Sequence, residues 1–145
     1  MTLMPAHRLA PHAHARDLDA FREHSEHPTG RDHVPAHAWT GAAGGAPCGD
    51  LVRINLAVNG AHVADAGFAA AGCGAAHAAG SATVALARGA HVLNAARIGT
   101  AQVAAELGGL SPGKLHAAEL AADALHRALG AAAGPERGAG GPERG

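Results

Sequence analysis

The chain has few aromatic residues and few cysteines. Its 145 residues include two Phe, one Trp, no Tyr and two Cys. Forty residues are alanine, which buries little surface, so the 48% hydrophobic fraction overstates the core. Tight helix packing and a thin margin of stability are expected. The length suits one domain with a modest core. Lys114 stands alone among eleven basic residues; the other ten are Arg. The formal charge is −1 and no Lys/Arg block exists, so neither nucleic acid nor an anionic membrane is an implied partner. No apolar run is long enough for a membrane span. The first sixteen residues lack a continuous apolar stretch, so no secretory signal is expected and the compartment is read as cytoplasmic. Without export, two cysteines favour reduced thiols that bind metal or handle sulfur over a disulfide.

Ala, Gly, Arg, His and Pro are abundant and Lys is scarce, as GC-rich codons would give. That accounts for most of the twelve histidines. Residues 1–14 carry two prolines and no period, so they read as a disordered, His-rich tail whose His7, His12 and His14 could bind metal loosely. The domain is expected over 15–133. Residues 134–145 repeat Pro-Glu-Arg-Gly and read as a second disordered tail.

Within the domain, a short helix is predicted over 15–24, where Leu18 and Phe21 share a face. Residues 31–38 read as irregular, and 39–42 as an edge strand. Residues 51–58 alternate: Val52, Ile54, Leu56 and Val58 lie on one face, Arg53 and Asn55 on the other. Asn59-Gly60 predicts a two-residue hairpin turn, because both residues tolerate positive φ. The return strand over 61–68 then places Val63 opposite Leu56, and Phe68 opposite Leu51. Helices follow over about 74–88, 91–97 and 101–107, the last capped by Thr100. Gly89 stops the first of them. Ser111-Pro112 opens the final helix, whose stripe is Leu115, Ala118, Ala122, Leu125 and Leu129.

The two cysteines are placed at element boundaries. Cys48 lies in Ala46-Pro47-Cys48-Gly49-Asp50, just before a strand. Cys73, 25 positions on, lies in Ala71-Gly72-Cys73-Gly74-Ala75, where a helix begins. The flanking glycines permit close approach to a cofactor, and a helix N-terminus favours thiolate. Against this stands the reading of two small buried residues, and the spacing matches no generic zinc motif. Asp50 could share a metal with Cys48 or simply start the strand. His116 could join them from the final helix or be a surface histidine. His77, one turn after Cys73, is a weaker candidate. The candidate metal ligands are therefore Cys48, Asp50, Cys73 and His116, with Cys48 and Cys73 as the cluster-binding pair.

Three blocks resemble the iron–sulfur cluster assembly scaffolds of the IscU/NifU N-terminal type. Ala46-Pro47-Cys48-Gly49-Asp50 resembles the family's Pro-x-Cys-Gly-Asp loop. Asp65-Ala66-Gly67-Phe68 with Gly72-Cys73-Gly74-Ala75-Ala76 resembles its Asp-Ala-x-Phe strand and Gly-Cys-Gly-x-Ala helix start. Leu110-Ser111-Pro112-Gly113-Lys114-Leu115-His116-Ala117 resembles its Leu-Pro-Pro-Val-Lys-x-His-Cys segment. His24 and Pro28 also resemble the His-x-x-x-Pro that ends the family's first helix. The resemblance spans roughly 15–132.

It implies an α+β fold: a three-stranded antiparallel sheet with helices on one face, SufE/NifU-like. It also implies a scaffold that takes sulfur from a cysteine desulfurase, holds a transient [2Fe–2S] cluster, and passes it to recipient apo-proteins. The Asp is associated with keeping the cluster labile, and many members bind Zn²⁺ in the same site. Two departures matter. Ala117 stands where the family has its third cluster cysteine. Ser111 and Gly113 break the segment that recruits a chaperone in some members, which puts that partner in doubt. Three readings follow: a scaffold using Asp50 or His116 beside the two cysteines, a zinc-bound sulfur acceptor, or a diverged binding module. A zinc hydrolase would need an open metal position and a base, with Asp50 or His77 cast for it. No substrate-pocket motif, Ser/His/Asp set or phosphate loop supports that, so the chain is not read as an enzyme.

Overall fold

A computed structural model of the chain describes residues 18–45 and 49–134. The predicted tails 1–14 and 134–145 except for Gly134, the first three residues of the helix predicted over 15–24, and Cys48 lie outside the described residues. Helix α1 (Leu18–Glu26) leads through an irregular segment into strands β1 (Trp39–Gly44), β2 (Leu51–Asn59) and β3 (His62–Ala71). Then follow α2 (Gly74–Ala87), α3 (Val92–Ala95), α4 (Thr100–Glu106), a 3₁₀ turn (Pro112–Lys114) and α5 (Leu115–Ala133). The strands form one antiparallel sheet in the order β1-β2-β3, with helices packed on one face. No described helix is long and apolar enough to cross a membrane.

The hairpin differs from its predicted register. The turn residues are Gly60 and Ala61, with Asn59 paired to His62. Only Gly60 of the four turn positions has positive φ (63°), which suits a turn with glycine first rather than two positive-φ residues. A bulge between Ala57 and Val58 shifts the register once more. Leu56 therefore faces Ala66, Ile54 faces Phe68 and Leu51 faces Ala71. Periodicity fixes which face a residue takes, but the turn and bulge fix its partner.

Alanine sets how closely the layers pack. Ten of the 14 residues of α2 are buried, so it has no polar stripe; it packs against β2, β3, α1, α4 and α5. Helix α5 lies on β1 and β2; its Ala117, Ala121, Ala124 and Ala128 are buried, and its backbone at Ala124 and Ala128 abuts Gly41 of β1. A Cβ on Gly41 would collide with the α5 backbone at Ala124 and Ala128, and one on Gly80 with the Phe68 ring. Phe68, Ile54, Leu56, Leu107 and Leu125 supply the bulk of the core.

Two helix starts differ from expectation. Gly99, not Thr100, is the N-cap of α4, and its N–H donates to Gln102 Oε1 at 2.9 Å. The Ser111 side chain makes no cap bond; its carbonyl accepts from Lys114 N at 2.9 Å and closes the 3₁₀ turn.

The outer edge of β3 is covered by backbone. Phe68 N donates to Gly30 O at 2.9 Å and Asp32 N to Phe68 O at 2.7 Å. Further along, Val63 N donates to Ala90 O at 2.8 Å and Val92 N to Ala61 O at 2.7 Å. This protects the edge from pairing with other chains. The segment after Gly30 then crosses the face opposite the helices. There Asn55 Nδ2 donates to His33 O at 3.4 Å, and Gly67 leaves no room for a side chain beneath that carbonyl. That crossing explains why Asn55, on the expected polar face, is buried (3% exposed).

Asp65 fastens the crossing segment. Its carboxylate takes His33 Nε2 at 2.6 Å, lies 3.4 Å from Arg88 Nε, and accepts Ala66 N at 2.8 Å. The His33 hydrogen bond is the main cause holding its carboxyl below the ordinary 3.8, with Ala66 N–H and the His33 and Arg88 charges adding to it against desolvation. The depressed value sets the sign: the stabilisation is fully present above the unfolded value and is lost as pH falls through the folded one. Asp65→Asn is therefore expected to flatten the acid limb. The gap between urea midpoints at about pH 2.5 and about pH 6 should shrink in the variant. An unchanged gap would remove Asp65 from the acid response.

Candidate metal centre

The site is built at the end of the sheet away from the hairpin. Asp50 immediately precedes β2 and Gly72 immediately follows β3, and the Leu51–Ala71 pairing brings them side by side. Gly72 has φ 106°, and a Cβ there would run into Asp50 Oδ1. Only glycine lets the chain turn tightly enough to lead Cys73 back over the carboxylate. The loop before Asp50 is closed by Gly45 N to Asp50 O at 2.6 Å and Gly49 N to Gly45 O at 3.0 Å. Cys48 belongs to the segment between those anchors in sequence.

Cys73 is the N-cap of α2 and its thiol is free and exposed. Its backbone N–H donates to Asp50 Oδ1 at 2.9 Å, and its Sγ lies 3.6 Å from Asp50 Oδ2. One carboxylate oxygen is thus fixed by the backbone, and the other faces the sulfur. Two ligands of a tetrahedral Zn²⁺, with Zn–S about 2.3 Å and Zn–O about 2.0 Å, lie about 3.5 Å apart. The observed 3.6 Å separation matches that value.

The other candidates stand differently. His116 lies in the first turn of α5, with Nδ1 3.5 Å from Glu119 Oε1 and a side chain 54% exposed. His77 is half-buried, one turn into α2. Among the described residues no three His, Cys, Asp or Glu side chains gather as a metal set. The described part of the site is therefore the Asp50–Cys73 pair. Ala117 is 3% exposed, its methyl packed into the core.

A second polar cluster escaped sequence reasoning. His24 is buried; its Nδ1 meets Ser81 Oγ at 2.7 Å and its Nε2 meets Glu106 Oε2 at 3.0 Å. Ser81 Oγ also accepts Thr29 N at 2.8 Å. One tautomer satisfies every group: Ser81 O–H donates to Nδ1, and Nε2–H donates to Glu106. The trio has the composition of a hydrolytic triad, but Ser81 is 0% exposed and its oxygen is already engaged by Thr29, so no substrate reaches it. It bolts α1 and α4 to α2. The only sequence signal was His24 in the His-x-x-x-Pro resemblance. Ser81→Ala strands His24 Nδ1 and Thr29 N–H and is expected to destabilise by about 1–3 kcal/mol in urea unfolding. A loss below about 0.5 kcal/mol would mean that water replaces the hydroxyl.

These features define the class: a small α+β domain whose thiol and carboxylate gather at the open end of a three-stranded meander. The model of the NifU-like N terminal domain matches residues 18–135, and the chain belongs to that family. It is 44% identical over 109 residues to a bifunctional protein NifU/MnmA of Rubrobacter xylanophilus, covering 74% of this chain but only 22% of that protein. It is 35% identical over 111 residues to the iron-sulfur cluster assembly scaffold protein IscU 1 of Archaeoglobus fulgidus, covering 77% of this chain and 72% of that one. Two solved structures share the fold. A hypothetical protein gives a TM-score of 0.64 at 18% identity, covering 77% of this chain and 94% of that one. A putative iron-sulfur cluster assembly scaffold protein for the SUF system from Fervidobacterium islandicum gives 0.58 at 15% identity, with the same coverage.

Proposed function

We propose that the protein is an iron–sulfur cluster assembly scaffold that holds a transient [2Fe–2S] cluster as cargo on Cys48 and Cys73, with Asp50 and His116 as further ligands. The observation that carries this reading is the Asp50–Cys73 pair, a free thiol 3.6 Å from a carboxylate oxygen in a family-matched fold. The cysteines hold iron through thiolate, and the carboxylate adds a harder oxygen ligand that exchanges more readily. The exposed position of the thiol lets a cysteine desulfurase deliver sulfur and an apo-protein take the cluster. The protein is not a turnover enzyme, and it works in the cytoplasm.

The single described thiol and the tetrahedral S···O spacing equally support a second reading, a zinc-bound sulfur acceptor for the same desulfurase. Iron and acid-labile sulfide in protein purified without oxygen decide between them. Equal iron and sulfide, with absorption bands above about 300 nm, support the scaffold. One zinc and no sulfide, with cluster binding only in Ala117→Cys, supports the second reading and overturns the first.

A further inference from the structure

At the hairpin end, ten residues up β3 from the candidate centre, two histidines face each other. His62 opens β3 and His91 is the N-cap of α3. They form an antiparallel bridge flanked by Val63 N to Ala90 O at 2.8 Å and Val92 N to Ala61 O at 2.7 Å. Those bonds join the neighbours on either side, so His62 and His91 are a non-hydrogen-bonded pair, the kind whose side chains approach most closely. Their ring centroids are 5.3 Å apart at an interplanar angle of 76°. His62 is exposed and His91 half-buried. We propose that His62 and His91 form a second, exchange-labile metal site, a bis-imidazole chelate for Cu²⁺ and, more weakly, Ni²⁺ or Zn²⁺.

The chemistry follows from the pair. Two imidazole nitrogens bound to one ion at about 2.0–2.1 Å lie about 3 Å apart. Two imidazoles sharing one ion at that bond length have ring centroids about 4.5–5.2 Å apart, close to the 5.3 Å seen here. Imidazole prefers borderline metals, and Cu²⁺ heads the order of affinity. Among the described residues no third His, Cys, Asp or Glu joins them, so water completes the coordination. His91 carries an internal handicap. Its Nδ1 accepts Leu93 N at 3.1 Å, which places the ring proton on Nε2. Coordination through Nε2 moves that proton to Nδ1 and gives up the cap, so binding is weaker than for two unengaged imidazoles. The site is independent of the Asp50–Cys73 reading; β3 holds the two about 30 Å apart.

The test is Cu²⁺ titrated into the full chain carrying Cys48→Ser and Cys73→Ser, which prevents thiols from reducing or binding the ion. Imidazole signals are followed residue by residue by NMR. At sub-stoichiometric Cu²⁺ the His62 and His91 signals should broaden before those of His37 or of the histidines in residues 1–14. His91→Asn keeps a capping oxygen for Leu93 but removes the imidazole, and should abolish the early broadening of His62. Broadening that starts at the tail histidines, or that persists at His62 in His91→Asn, would overturn the proposal.

Discussion

Cys73→Ala is expected to abolish cluster and zinc binding outright while leaving the fold intact. Its thiol is free, exposed and makes no cap bond, so no core packing depends on it. Its backbone N–H bond to Asp50 Oδ1 survives the substitution. Anaerobic reconstitution with iron and sulfide should therefore give no absorption above about 300 nm. Thermal unfolding of the metal-free variant should match the parent, because no ligand stabilisation is at stake in that form. Asp50 is expected to behave differently. Asp50→Asn keeps an oxygen for Cys73 N but removes the carboxylate charge facing Sγ. On the proposed reading it still assembles a cluster and passes it on more slowly, the outcome the family resemblance gives for this position. Cluster formation at parental yield in Cys73→Ala would end the scaffold proposal. Asp50→Asn transferring at the parental rate would end only the role assigned to the carboxylate.

The largest expected loss of stability comes from adding a single methyl group. Gly41→Ala is expected to destabilise by about 3 kcal/mol, at the upper end for an overpacked core. The position needs no positive φ, so alanine is locally acceptable there. The loss comes from contact alone, because the new Cβ meets the α5 backbone at Ala124 and Ala128, and helix backbone has no rotamer to change. Either α5 lifts from β1, opening a gap over Ala43 and Val52, or the strand bends away from β2. Gly130→Ala is the matched control. Gly130 lies inside α5 with nothing within 4 Å of a new Cβ. Relief of the glycine helix penalty should stabilise by roughly 0.8 kcal/mol. In a domain worth about 5–15 kcal/mol, the pair should shift the urea midpoint in opposite directions. Equal shifts of the same sign would mean that α5 does not pack on β1 as described.

The candidate site was partly legible in the chain. Cys73 at a helix start followed from its glycine flanks and the apolar run behind it, and Asp50 from its place before an alternating strand. Their mutual approach was not legible. It requires the Leu51–Ala71 register, which a bulge at Ala57–Val58 and a turn on Gly60–Ala61 set together. The predicted register, taken from Asn59-Gly60, put Phe68 opposite Leu51 and would have carried Gly72 past the strand end. The burial of Asn55 and the His24–Ser81–Glu106 network were equally hidden. Each joins residues far apart in sequence, and no local period marks them.

By itself the sequence determined the element types, their order, the inward face of β2 and the family. These rest on short-range chemistry: side-chain period, glycine and proline at boundaries, and motif residues at fixed offsets. Of the expected α5 stripe Ala118, Ala122 and Leu125 are buried, but Leu115 is exposed and Ala117, Leu120, Ala121, Ala124 and Ala128 complete the packed face. Tertiary structure alone decided which residues meet. It fixed strand register, brought the crossing segment over Gly67 and Asn55, set the thiol 3.6 Å from the Asp50 carboxylate, and paired His62 with His91. The physical reason is that register and crossing are settled by a one-residue bulge and by close packing at glycines, whose energies depend on distant chain segments rather than on neighbours in sequence.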